Sequence, residues 1–361
     1  MSELFGPCGR AVDGSFWCFD PPRAAMRYPA LQGVLDYDVG GSFLSGFFNT
    51  APTTFDCEIM SSHAVACEGS DLDAQLGFAT SSAQTCPYNC TPLLQQQQVT
   101  CGYPCENAPR AVPGVGPATA IMANGGPCAL LTSGGVSCWG GDANGSPVAP
   151  ATISLPDKAV AIAGGVSSCA VLASGQLACW VLDAWGPIDR SSCPSSGCAV
   201  PVVAPGLNGL VSISSTFDHA CVLRNDGAAF CWGENLAGEL GDGTGTQRTT
   251  PVPVATSVQL SQISTGFGET CAVTKDGHVA CWGLADIPPG VNGATTCPTS
   301  NSYFGCRLVP VVIPGIDEVK QVAAAFGNGS GGFAYALRRN GSVLSIDDDP
   351  DGGFDVVQVA P

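Results

Sequence analysis

Apolar residues along this chain fall in short runs broken by Gly, Pro, Asn or Asp, and no apolar stripe of helical period continues over four turns. Such a pattern predicts strands and tight turns throughout, an all-β chain. One strand form recurs, a Val, Leu or Ala followed three residues later by Ile or Val. It occurs at Ala118 to Ile121, Ala159 to Ile162, Leu210 to Ile213, Leu260 to Ile263 and Val319 to Val322, and more weakly at Leu44 to Phe47. Each copy precedes a hairpin centred on a turn such as Ser133-Gly134-Gly135, Ser174-Gly175, Asp226-Gly227 or Asp276-Gly277.

Those hairpins are marked by cysteine. Cys8/Cys18, Cys57/Cys67, Cys128/Cys138, Cys169/Cys179, Cys221/Cys231 and Cys271/Cys281 share one spacing of ten residues. An even separation about a central turn puts both residues on one face and directly opposite, within disulfide reach. The competing reading is a layer of small buried thiols. Against it, a seventh copy at Tyr335 to Ser345 replaces both cysteine positions together. The remaining cysteines cluster between hairpins: Cys86 with Cys90, Cys101 with Cys105, Cys193 with Cys198 and Cys297 with Cys306. They read as loop staples, with an exchange among Cys86, Cys90, Cys101 and Cys105 left open. Twenty cysteines that divide into short-range pairs imply an oxidising compartment, extracellular, cell-surface or periplasmic. Zinc is the rival, but the loop spacings are irregular and the three histidines lie elsewhere.

Composition adds exclusions. Only 12% of residues are charged, and 13 Lys and Arg against 30 Asp and Glu leave a formal charge of −17. With no basic stripe, nucleic acid is not expected as a partner. No run of eighteen apolar residues exists, so no membrane insertion is expected. The stretch from Met1 to Cys8 has neither a basic nor an apolar leader region, so a signal peptide is expected to be processed away or to lie outside this sequence.

Past the second cysteine, Trp139, Trp180, Trp232 and Trp282 recur at one repeat position, which suits packing between neighbouring units. The best-preserved copy runs His219-Ala220-Cys221-Val222-Leu223-Arg224-Asn225-Asp226-Gly227, then Cys231-Trp232-Gly233-Glu234-Asn235 and Gly238-Glu239-Leu240-Gly241. It resembles the regulator-of-chromosome-condensation repeat family, with its His before the hairpin, Trp-Gly-x-Asn and Gly-x-Leu-Gly turn. Residues 68–77 keep the turn and lose the Trp. As a repeat pattern the resemblance spans nearly the whole chain. It implies a single seven-bladed β-propeller, with cysteine pairs of the kind associated with secreted bacterial members. The blades expected are 1–39 with 354–361, then 40–117, 118–158, 159–209, 210–257, 258–318 and 319–353. The first hairpin has no typical strand upstream, whereas Val356 to Val359 has the right form and no hairpin after it. The C-terminal strand is therefore expected to pair in blade one and close the ring.

Catalytic machinery is not expected. His63, His219 and His278 each have a structural place, and no nucleophile elbow, zinc-protease helix or phosphate loop occurs. Asp347-Asp348-Asp349-Pro350-Asp351-Gly352 puts Asp347, Asp349 and Asp351 at calcium-loop positions, but Gln358 stands where a bidentate Glu is usual. An acidic solvated turn is the simpler reading. No other cofactor is expected. The family includes a nuclear nucleotide-exchange factor and a secreted bacterial β-lactamase inhibitor, both acting through protein contacts, and twenty cysteines do not suit a nucleus. The resemblance thus implies a non-enzymatic, monomeric extracellular scaffold that presents its loops to a protein partner. Tyr88, Tyr103, Trp185, Tyr303 and Phe304, in the inserted loops, are the candidate contacts. The alternatives are a structural or sensory module of a larger secreted protein and a carbohydrate-binding or glycoside-processing propeller.

Overall fold

The computed structural model describes residues 1–5, 8–18, 26–27, 33–40, 55–71, 75–78, 85–89, 100–124, 126–141, 147–182, 201–285, 294–297, 305–325, 333–348 and 354–360. Among these residues lie seven antiparallel sheets and no helix. The first strands of sheets one to seven are Glu3–Phe5, Asp36–Gly40, Ala118–Met122, Ala159–Ala163, Leu210–Ser215, Leu260–Thr265 and Val319–Ala325. Strands within a sheet follow chain order, and Thr85–Asn89 and Thr295–Thr296 add a fifth, outer strand to sheets two and six. The chain divides into two compact units, Val34–Ile162 on one side and Met1–Gly33 with Ala163–Pro361 on the other.

In each hairpin the cysteines stand directly opposite: Cys8 to Cys18, Cys57 to Cys67, Cys128 to Cys138, Cys169 to Cys179, Cys221 to Cys231 and Cys271 to Cys281. The last five of these pairs are disulfides with Cα atoms 4.0–4.1 Å apart. Cys8 and Cys105 are disulfide-bonded as well, and Cys297–Cys306 staples the outer edge of sheet six.

Strand alternation decides what meets between sheets. In the larger unit, Cys221 and Cys231 of sheet five share a buried cluster with Trp282 and Ala272 of sheet six. The opposite face of sheet six carries Cys271 and Cys281, which pack with Ala336, Leu344 and Ile346 of sheet seven. The smaller unit repeats the arrangement, Cys57 and Cys67 of sheet two lying with Trp139 of sheet three. Where the following sheet carries the recurring tryptophan in these clusters, the disulfide faces it: Cys221–Cys231 lies against Trp282 and Cys57–Cys67 against Trp139. Sheet seven has no disulfide at this position; Tyr335 pairs with Ser345 there, fully buried, and packs with Leu4 of sheet one. The ring fills the volume that a disulfide occupies elsewhere.

The Gly-x-Leu-Gly turn serves the same contact. Gly241 lies at φ +65 with its Cα against Trp282, where a Cβ would sit 2.7 Å from Nε1. Gly77 bears the same relation to Trp139. The turn is tied down by Asn235 Oδ1, which accepts from Leu240 N at 3.0 Å, and in sheet two by Asp71 Oδ1, which accepts from Leu76 N at 3.1 Å.

Two expectations are corrected. The C-terminal strand Phe354–Ala360 pairs with Val343–Asp348 in sheet seven, not in blade one. Blade one needs no donor from the C-terminus, because Glu3–Phe5 already pairs with Cys8–Arg10. Pairing with the preceding strand also closes a far shorter loop, which costs less chain entropy. Sheets seven and one are joined by side chains instead. Gln321 Nε2 donates to Leu4 O at 2.7 Å, and Leu4 N donates to Gln321 Oε1 at 2.9 Å. Gln262 makes the same pair of bonds to Val322, both at 3.0 Å. Secondly, the first strand of sheet two is Asp36–Gly40, ahead of the expected boundary at residue 40. Polar residues fill it, so the apolar strand form could not reveal it; Leu44 to Phe47 lies outside the described residues.

Candidate protein interface

Between the first and second strands of sheets five and six the chain turns tightly, closed by Thr216 N to His219 O at 2.9 Å and by Gly266 N to Glu269 O at 2.8 Å. At equivalent places in these turns stand Phe217 and Phe267, 43% and 57% exposed. An exposed phenylalanine in a rigid turn is costly for solubility and is a common anchor in binding sites. The two turns are held together. Asp218 Oδ2 accepts from Gly268 N at 2.8 Å, and Ser214 Oγ accepts from Thr265 N at 3.0 Å. The third strand of sheet five backs the first turn through Glu234 N to Asp218 O at 2.8 Å. That close approach needs the glycine after the tryptophan, since a Cβ on Gly233 would lie 2.4 Å from Asp218 O. Leu236, 43% exposed, follows on the same strand-end loop.

Beneath Phe217 lies a buried polar network. His219 is wholly buried. Its Nδ1 lies 3.0 Å from Asp218 Oδ1 and its Nε2 lies 2.7 Å from Thr270 Oγ1. Thr270 gives its only hydroxyl proton to Glu239 O, at 2.9 Å, so it must accept from Nε2. An ionised Asp218 can only accept, so Nδ1 must also donate. The arrangement suits the imidazolium form of His219, in which both ring nitrogens donate. Burial alone would lower its pKa, but the charge and hydrogen bond of Asp218, reinforced by Glu239 and Glu234, raise it overall. Burial likewise pushes Asp218 upward, yet His219, Thr216 and Gly268 N hold it down to about 2. Aspartate, histidine and threonine in a row mimic a nucleophilic relay. The threonine is engaged as a donor to backbone and fully buried, so the row positions the turns and performs no relay. Glu239 completes it: its carboxylate accepts from Leu236 N and Ala237 N at 3.2 and 2.7 Å, and its carbonyl accepts from Trp282 Nε1 at 2.9 Å.

The other residues singled out from sequence are dispersed. His63 Nδ1 lies 2.8 Å from Ala118 O, and His278 Nδ1 lies 3.0 Å from Ile316 O, each in its own turn. Tyr88 and Tyr103 fall on paired outer strands of sheet two, Thr85–Asn89 and Thr100–Ala111. Trp185, Tyr303 and Phe304 lie outside the described residues, as do Cys90, Cys193, Cys198, Asp349 and Asp351. Asp347 sits within strand Val343–Asp348, opposite Asp355. The described residues hold one compact metal-ligand grouping, Glu269 with Cys271 and Cys281, but its two sulfurs are joined in a disulfide and cannot ligate as thiolates.

Sequence reasoning missed Phe217 and Phe267. The signal was present as a phenylalanine four residues before the first hairpin cysteine in copies five and six alone. An apolar residue at a strand end reads equally well as core, and only the fold shows that it points outward.

The regulator of chromosome condensation (RCC1) repeat matches residues 210–239, the stretch that carries Phe217 and the His219 network. No curated protein sequence matches the chain. Among solved structures it is similar to Prp20p of Saccharomyces cerevisiae, described with its binding to Gsp1p and histones, at 17% identity and TM-score 0.68, over 94% of this chain and 80% of that one. It is also similar to yeast RCC1 (Prp20) bound to Kap60, at 17% identity and TM-score 0.64, over 90% and 73% of the two chains. Human WBSCR16 gives 16% identity and TM-score 0.64 over 97% and 86%. At such identities the likeness is one of fold, a seven-bladed β-propeller.

Proposed function

We propose that this chain, whose residues 210–239 match the regulator of chromosome condensation (RCC1) repeat, is a non-enzymatic binding scaffold for a protein partner in an extracellular, oxidising setting. The observation that carries this reading is the pair Phe217 and Phe267, exposed at equivalent turns of adjacent repeats and fixed there by a buried ion pair. Preorganised aromatic anchors bind with little loss of side-chain freedom. The partner that suits them presents an apolar pocket or ridge flanked by basic residues, because this chain carries a formal charge of −17. Proteins of the same fold are described as binding Gsp1p and histones, or as bound to Kap60, which supports a partner of protein class. The hairpin disulfides support the compartment.

The test compares capture by the wild-type chain and by the double variant Phe217→Ser, Phe267→Ser, from the culture medium or envelope fraction of the source cells. The variant should keep the same melting temperature within a few degrees and lose the captured protein. Capture by the wild type should weaken as salt rises. Equal capture by both forms would remove these turns as the interface.

A further inference from the structure

The outer edge of a sheet offers a row of unpaired N–H and C=O groups to any strand that can reach it. In two sheets this chain fills that row itself. Thr85–Asn89 pairs antiparallel with the fourth strand of sheet two, Thr100–Ala111, and Thr295–Thr296 pairs antiparallel with the fourth strand of sheet six, Gly305–Val312. The fourth-strand edge of this repeat can therefore carry an added strand. The other edges differ in what they present. Those of sheets one and four are two residues long, Met26–Arg27 and Val202–Val203. Those of sheets three and five, Pro147–Ile153 and Arg248–Pro253, hold Pro147 with Pro150 and Pro251 with Pro253, residues that have no N–H to give.

Sheet seven has none of these safeguards. Its fourth strand, Phe354–Ala360, is seven residues long and free of proline, and among the described residues it pairs with Val343–Asp348 alone. Val356 and Val357 are 37% and 59% exposed. Neighbours along a strand point to opposite faces, so both faces of this edge carry an exposed valine. Lysine, the usual guard of an edge, is missing from it. Charge changes along its length. At one end Asp347 is the register partner of Asp355 and Asp348 that of Phe354, and the sequence between the two strands adds Asp349 and Asp351. At the other end Val343 pairs with Ala360, beside the hairpin turn that begins at Arg338 and Arg339.

We propose that this edge accepts an extended peptide of a protein partner as a fifth, antiparallel strand: a segment with apolar residues at alternate positions and lysine or arginine at its C-terminal end. Antiparallel pairing decides the polarity, because a strand running against Phe354–Ala360 ends beside Phe354, Asp355 and Asp347. Main-chain bonds supply the affinity, and Val356 and Val357 select side chains on either face. A second copy of this chain fits less well, since it would bring one formal charge of −17 against another. The edge belongs to sheet seven and uses neither Phe217 nor Phe267 of sheets five and six.

The probe is a synthetic peptide of alternating valine and threonine that ends in two lysines, titrated into the intact protein by calorimetry, with amide exchange read from Val356 to Val359. The wild type should bind one peptide and slow the exchange of its outward-facing amides. A peptide of the same composition with the lysines at its N-terminal end should bind several-fold more weakly. Val356→Pro and Val357→Pro are compared because neighbouring N–H groups point to opposite edges. One should melt lower for want of a ladder bond, and the other should melt with the wild type and bind about tenfold more weakly. Val357→Lys should also weaken binding, and the double variant Phe217→Ser, Phe267→Ser should bind as the wild type does. Three outcomes overturn the proposal: no peptide bound by folded wild type; binding unchanged both in Val357→Lys and in the proline variant of wild-type stability; or a wild-type dimer in sedimentation that Val357→Lys dissolves, which makes a second copy the occupant.

Discussion

Removing the imidazole of His219 would leave Asp218 as a buried carboxylate with its main counter-charge gone. Losing one member of such a pair costs ~3–5 kcal/mol, so His219→Gln should melt well below the wild type. The pH dependence has a defined sign. His219 has its pKa raised in the folded state, so its stabilising share is full below its ordinary value of 6.5 and fades as pH climbs through the folded value. Asp218 is held down to about 2, so its share is full above about 3.8 and fades as pH drops toward 2. The gap between wild-type and His219→Gln melting temperatures should therefore be widest from about pH 4 to 6.5 and narrow outside that window. Glu58 behaves oppositely to Asp218. Its folded value of about 8 lies above the ordinary 4.5, so it destabilises increasingly as pH rises from about 4.5 to 8. Glu58→Gln should match the wild type at pH 4 and exceed it at pH 8.5 by on the order of a few kcal/mol, read as a melting shift. Equal pH profiles would remove the buried, uncompensated charge.

At the scale of the strand, the corrected pairing of the C-terminus changes what truncation should do. Removing residues 354–361 strips Phe354–Ala360 from Val343–Asp348 and takes Val359 from the cluster of Leu4, Tyr335 and Val343. Amide exchange should then accelerate along Val343–Asp348, while Cys8–Arg10 keeps its protection. Gln321→Ala separates the other tie. The Leu4 amide loses its acceptor and should exchange faster, and two lost, partly buried hydrogen bonds should cost ~1–3 kcal/mol. Protection of Leu4 unchanged in this variant would mean that the glutamine is a bystander.

Across the whole molecule, hairpin staples add to the stability that the buried sheet-on-sheet clusters supply. A loop of this hairpin's length is worth ~3 kcal/mol per disulfide on the chain-entropy account. Five such bridges are described in full, and together they rival the net stability of an ordinary domain. Nine of their ten cysteines are 0–3% exposed, and Cys138 is partly exposed. A thiol reductant alone should therefore act slowly on the native protein, and reduction in denaturant should abolish refolding once the denaturant is diluted. Peptide mapping after each treatment distinguishes the two regimes. A chain that refolds fully with all thiols reduced would show that the packing of sheet on sheet suffices.

What the sequence determined by itself is local. Ten-residue cysteine spacing about a central turn dictates opposite partners on one face, and the recurring Trp and Gly-x-Leu-Gly elements dictate repeated sheet-on-sheet contacts, because hairpin register follows from the turn and the period of two. The all-β fold and its seven repeats were legible for that reason. The tertiary structure decided the rest. Val356 to Val359 and Leu4 are equally apolar, and backbone hydrogen bonding does not discriminate between strands, so the pairing of the C-terminus emerged only from proximity. A polar first strand at Asp36–Gly40 was invisible to an apolar pattern, since its carboxylates are spent on the backbone of the next sheet. Phe217 outside and Glu58 inside invert the usual preference of each residue type. Exposure and the absence of a counter-charge belong to the packed fold, and no window of sequence contains them.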